Sequence, residues 1–208
     1  MVLFHGAKKE LIGDIKVDCN KENNDMGQGF YCGESMEQSA MFVASYPESS
    51  LYMISFDPKG LTGKTYKVNR EWMLLIAYHR GRLKGYENLK LISKLLNQLK
   101  NVDYIVAPIA DNRMFEIIDA FTDGEITDVQ CEHCLSATDL GNQIVITSCK
   151  AARKLQVLER CFLTAEEKSD YLADRRERYE LCRDKVKLAK KQILKHKQNK
   201  YLRILEIS

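Results

Sequence analysis

The sequence predicts an α+β domain followed by a long basic helix, and three observations carry that expectation. Short apolar runs of strand type, Val2-Leu3-Phe4, Leu51 to Phe56, Val102 to Ile109 and Asn142 to Thr147, are separated by stretches of helical period. Thr164 with Glu167 three residues later is a capping box, and the helix it opens has no breaker before about Lys200. With 208 residues and no internal repeat, the chain fits one domain of ordinary size plus an appendage. The expected division is a domain over 1–163 and a helical extension over 164–208.

Taken in order, Met1 to His5 reads as the first strand. It has no basic segment ahead of an apolar one, so no signal peptide is expected. Ile12 to Met26 is polar, with Asn20, Asn23 and Asn24, and reads as a surface loop. Glu34 to Ser45 has Met36, Ala40, Val43 and Ala44 at helical steps. Leu51 to Phe56 is a strand stopped by Asp57-Pro58-Lys59-Gly60. Asn69 can cap a helix through Trp72, Leu75, Ile76 and His79, with Glu71 in its first turn. A second helix is expected from about Tyr86 to Lys100, with Leu89, Ile92, Leu95, Leu96 and Leu99 on one face. Val102 to Ile109 is a buried strand, and Asp111 or Asn112 can cap a helix from Met114 to Phe121. Asn142 to Thr147 is a late strand, and Lys154 to Leu158 with Cys161 to Leu163 form the last.

Composition bounds the class. Hydrophobic residues at 45% and charged residues at 29% are ordinary for a globular protein, and no run of about 18 to 20 apolar residues would span a membrane. Seven scattered cysteines point to reduced thiols and a cytoplasmic location. Cys149 and Cys161 lie in apolar runs that read as core strands. Cys131-Glu132-His133-Cys134 has half of a zinc-site pattern but no second pair at ligand spacing, so buried helix cysteines are expected and no metal. The net charge of +3 is local in origin: Lys185 to Arg203 holds eight basic residues and no acidic one. Such a run is a solvated helix face or a phosphate-attracting one. In the same helix Leu172, Tyr179, Val186 and Ile193 recur seven apart, a sparse stripe for packing on the domain or a partner.

The stretch Asp25-Met26-Gly27-Gln28-Gly29-Phe30-Tyr31 concentrates the chemical signal. Two glycines two apart allow a tight turn and close backbone approach to a ligand. No third glycine follows at dinucleotide-fold spacing, and no Gly-Lys-Ser/Thr completes a phosphate loop. The run Gly27-Gln28-Gly29-Phe30-Tyr31, then Ser39-Ala40-Met41-Phe42, resembles the nicotinamide-holding loop of ADP-ribosyltransferases of the diphtheria-toxin and poly(ADP-ribose) polymerase branch. His5-Gly6 on the first strand resembles that branch's opening motif. Together with the Ile109-Ala110-Asp111 strand end and the late Gln143-Ile144 strand, the chain resembles a bacterial family long catalogued as a domain of unknown function within that superfamily.

The resemblance covers roughly residues 2 to 160, and its implications are specific. The fold would be a split, mostly antiparallel sheet with flanking helices. NAD would be the co-substrate of mono-ADP-ribosyl transfer. His5 would hold a ribose hydroxyl, and Gly6 and Gly29 would let backbone approach the ligand. The Tyr31 ring would stack on nicotinamide, facing His5 across the dinucleotide. Phe42 would cover the other face, where polymerase-like enzymes carry tyrosine, and Ser39 would bond the carboxamide. Gln143 stands where those enzymes carry the catalytic glutamate, and would orient the ribose or the acceptor without supplying negative charge. Asp25 and Asp111 are further candidates. The implied setting is a toxin or phage-defence effector, with a nucleic acid or protein acceptor and a neutralising partner. The competing class is an inactive module that binds NAD or ADP-ribose.

Overall fold

The computed structural model describes residues 1–18, 23–83, 85–110, 112–137 and 140–193. Its strands are β1 (Val2–Ala7), β2 (Phe30–Gly33), β3 (Ser50–Phe56), β4 (Gly63–Thr65), β5 (Tyr104–Pro108), β6 (Asn142–Ile146) and β7 (Leu155–Cys161). They form one sheet in the order β4-β5-β6-β2-β1-β3-β7. Every neighbouring pair is antiparallel except β4 with β5. The expected α+β class and mostly antiparallel sheet are therefore present. The sheet is continuous, but its halves meet narrowly: β1 and β2 share the single pair Phe4–Gly33, whereas β1 and β3 share six.

The helices are α1 (Met36–Val43), α2 (Arg70–His79), α3 (Lys90–Leu99), α4 (Asn112–Thr122), α5 (Asp128–Ser136), α6 (Cys149–Ala152) and α7 (Ala165–Ile193). Local chemistry sets several of their starts. Ser35 and Gln38 form a reciprocal capping box on α1, Asn69 Oδ1 accepts from Trp72 N, and Thr164 and Glu167 exchange bonds ahead of α7. Helix α3 starts later than its apolar pattern suggests, because Tyr86 to Leu89 close as hydrogen-bonded turns instead.

Alternation along the strands sorts side chains into two cores. Val145, Ile105 and Ala107 join a core built with α2, α4 and α5, in which Trp72 to Ala77 are all buried. A helix segment buried on every side has no polar face to keep, which matches its apolar run. Phe30, Cys32, Ile144 and Ile146 join Leu3, Tyr52 and Ile54 in the second core. A third, smaller cluster joins Ala40, Val43, Leu51 and Leu163, and α7 packs on α1 and α5. In the expected stripe, Val186 packs against the main core and Tyr179 is exposed. Residues 194–208, with much of the basic run, lie outside the described residues.

The cysteines divide. Cys131 and Cys134 are buried on α5 as expected. Cys149 is exposed on the short α6, and Cys161 is only half-buried at the end of the edge strand β7, so neither sits in a core strand.

Gly29 sets how closely β2 can approach β6. A methyl group there would lie 2.6 Å from Val145 Cγ1 and 2.8 Å from the Ile146 carbonyl oxygen. A Gly29→Ala variant is expected to lose about 1–3 kcal/mol of stability. Urea unfolding would register this as a lower midpoint with an unchanged slope.

Candidate functional site

The glycine turn is folded against its own chain. Gly27 adopts φ +81°, which favours glycine, and its N–H donates to the Asn24 carbonyl at 3.0 Å. A Cβ at Gly27 would meet the His79 imidazole at 2.8 Å, so the turn lies directly on that ring. The Tyr31 hydroxyl donates to the Gly27 carbonyl at 2.6 Å and accepts from Met26 N–H at 3.1 Å. Burial pushes that phenol far above its ordinary value. Tyr31 thus ties down the turn from which it comes.

Beside the turn lies a buried charge. Asp25 is 7% exposed and receives Nε and one terminal nitrogen of Arg80 at 3.0 and 2.5 Å. Burial raises the Asp25 carboxyl above the usual carboxylate range, while Arg80, Gln143 and backbone donation from Ala110 pull it back. The Arg80 guanidinium lies 4.1 Å over the Phe115 ring.

Gln143, also buried, completes the cluster from β6. Its amide nitrogen donates to Asp25 Oδ2 at 3.4 Å and to the Pro108 carbonyl at 3.2 Å. Both partners are acceptors, so the orientation of the amide is fixed by chemistry. The carbonyl oxygen must then point away from Asp25 as an acceptor.

His5 makes a different set of contacts. Its Nδ1 donates to the Tyr31 backbone carbonyl at 2.6 Å, since a carbonyl can only accept, and this fixes the tautomer with Nε2 as the acceptor. The ring stacks on Phe30 at 4.2 Å, and burial lowers its pKa below the ordinary histidine value. Here the expected arrangement needs correction. Phe30 and Tyr31 point to opposite faces of β2 and join different cores. The His5 ring, on the Phe30 side, therefore does not face the Tyr31 ring across a shared cavity.

The remaining candidates gather at the narrow join of β1 with β2. Ser39 Oγ donates to the Phe4 carbonyl at 3.0 Å and lies against Gly33. Gly6 is explained by packing, because a Cβ there would lie 2.5 Å from the Ser39 carbonyl oxygen. Gln143 pairs in register with Gly33. Glu34, next along, accepts from the backbone and side chain of Asn142 at 3.3 and 3.1 Å. Gln38 Nε2 donates to the Leu140 carbonyl at 2.6 Å, so α1 and the start of β6 are clamped at the same place. Phe42 is 60% exposed with Lys8 near its ring, and so it lies open to solvent. Asp111 lies outside the described residues. Sequence reasoning missed any role for Arg80 and His79, which sit on a helix without a motif.

Comparison with known proteins adds one finding. A family model described as Protein of unknown function (DUF3990) matches residues 1–157. The chain belongs to this family. No curated protein and no solved structure gives a match. The DUF3990 match spans β1 to the start of β7 and so includes His5, Asp25, Tyr31 and Gln143; α7 lies beyond it. Among the described residues of this DUF3990 chain, no three His, Cys, Asp or Glu groups are placed to hold a metal, and no helix is long and apolar enough to cross a membrane.

The buried cluster and the imidazole beneath the turn each give a measurable consequence. Gln143→Glu would set a second carboxylate against Asp25 and the Pro108 carbonyl, so it should cost about 2–4 kcal/mol at pH 8. Acidification should relieve much of this loss, because the introduced carboxyl regains a donor once it is protonated. Thermal melting at pH 8 and pH 5 checks the contrast. His79 is held neutral by burial, with its pKa lowered from 6.5 to about 4. Because the folded state resists that proton, its contribution is complete above about pH 6.5 and is lost as pH falls toward 4. Stability should drop on the order of 2 kcal/mol across that window, and less in His79→Gln, when urea titrations are run at each pH.

Proposed function

We propose that the protein is an NAD-dependent mono-ADP-ribosyltransferase whose co-substrate binds where β1 and β2 part. The observation that carries the reading is the narrow join at the Phe4–Gly33 pair, with His5 next along β1 and Gln143 in register with Gly33 on β6. His5 Nε2 is left as an acceptor by the Nδ1 bond, and the Gln143 oxygen by the Asp25 and Pro108 bonds. Acceptors of this kind suit sugar hydroxyls, which must donate. The resemblance in His5-Gly6 and Gly27 to Phe42 supports NAD as the source of that sugar.

In this reading His5 and Gln143 accept from ribose hydroxyls, and the Ser39 oxygen accepts from the carboxamide. Tyr31 acts as a brace for the glycine turn and not as a stacking ring. Transfer breaks the bond between nicotinamide and the ribose carbon, and nicotinamide leaves with the bonding pair. The acceptor's nucleophile forms the new bond to that carbon and loses its proton to solvent. Gln143 holds geometry but adds no negative charge to the developing cation, so turnover is expected to be slow: each 1.36 kcal/mol of missing stabilisation is about tenfold in rate. The setting that fits is a cytoplasmic toxin or phage-defence effector with a neutralising partner.

A second reading is favoured by one observation, the locked and uncharged Gln143. It makes the chain a module that grips NAD or ADP-ribose without chemistry. Incubation with NAD separates the two. A transferase releases nicotinamide, and His5→Ala should lower that release by about tenfold or more. A raised melting temperature without any release supports the module. Neither response would contradict both.

A further inference from the structure

We propose that the surface formed by Phe42, Tyr46, Lys8 and Lys9 binds single-stranded nucleic acid. Phe42 is 60% exposed on α1, and Tyr46 is half-buried just beyond that helix. Lys8 Nζ stands 4.6 Å from the Tyr46 ring centroid and 6.0 Å from that of Phe42. Lys8 and Lys9 are exposed, and among the described residues neither has an acidic partner. Their neighbour Glu10 is engaged with Arg160 instead. On the α1 side, the nearest acids along the chain are Glu37, five residues before Phe42, and Glu48, two residues past Tyr46.

An accessible aromatic ring beside such ammonium groups offers two complementary things. The ring gives a stacking face for a base, and the lysines attract the phosphates that flank it. A duplex hides its base faces, so a flat exposed ring selects unpaired bases. An acidic peptide would use the lysines but leave the exposed phenylalanine without a matching group.

Position strengthens the assignment. Phe42 lies one helical turn past Ser39, whose hydroxyl holds the Phe4 carbonyl, and Lys8 lies two residues past Gly6. A strand stacked there would run beside the β1–β2 join. As the acceptor in ADP-ribosyl transfer, this nucleic acid rests on the function proposed above; as a binding surface it stands without it.

The test uses the full chain without NAD, and an oligonucleotide of about 12 nucleotides carrying 2-aminopurine. Binding should quench the base fluorescence and weaken as salt rises. Phe42→Ala should abolish the quench, and Lys8→Ala with Lys9→Ala should weaken binding about tenfold. Lys187→Glu with Lys191→Glu on α7 should leave the quench in place. NAD-induced stabilisation should persist in the lysine variant, so loss of this surface is distinguishable from loss of the NAD site. Undiminished quenching in Phe42→Ala would overturn the proposal. So would a polyglutamate peptide that binds as tightly as the oligonucleotide, which would make the surface a docking place for acidic protein.

Discussion

A carboxylate removed from water has to be answered by nearby donors, and much of the site follows from how Asp25 is answered. Arg80 supplies the opposing charge and Gln143 an amide hydrogen. Removing one partner of such a buried pair typically costs about 3–5 kcal/mol, far more than an exposed ion pair contributes. Arg80 comes from the end of α2, Gln143 from β6 and Asp25 from the turn before β2. One charge therefore ties together three parts of the chain that are remote in sequence. It also dictates that the Gln143 amide turns its nitrogen toward Asp25.

The same logic explains why glutamine, and not glutamate, occupies position 143. A second carboxylate would meet Asp25 on one side and a carbonyl on the other, both acceptors, where the amide now donates to each. Gln143 thus meets both neighbours as a neutral donor. Any chemistry there must work through orientation, exclusion of water and the ligand's own polarity, with little help from fixed negative charge.

Most of the architecture is legible in the sequence, and for definite reasons. Strand alternation, helix period and the caps at Asn69 and Thr164 are local signals, and each marks an element that forms. The short β4 is not legible, because Gly63-Lys64-Thr65 has no apolar pattern; it forms only because β5 offers a parallel edge. Sequence locates the glycine turn but does not reveal what its residues touch. Gly6 and Gly29 answer to helix and strand packing, and Tyr31 turns back onto Gly27. Whether two rings on adjacent strands share a face depends on register across the sheet, which the sequence alone does not reveal. Arg80 escapes notice for a similar reason, since its partner lies 55 residues away.

His5 carries most of the proposed function, in which Nε2, left as an acceptor by the Nδ1 bond to the Tyr31 carbonyl, would accept from a ribose hydroxyl. Long-range nitrogen–proton correlation spectra test this directly, and with four histidines in the chain a His5→Ala variant assigns the signal. Before ligand, His5 should read as the neutral tautomer protonated at Nδ1. Adding NAD should move the Nε2 resonance and leave that tautomer in place. An Nε2-protonated ring, or a His5 signal indifferent to saturating NAD, would contradict the account.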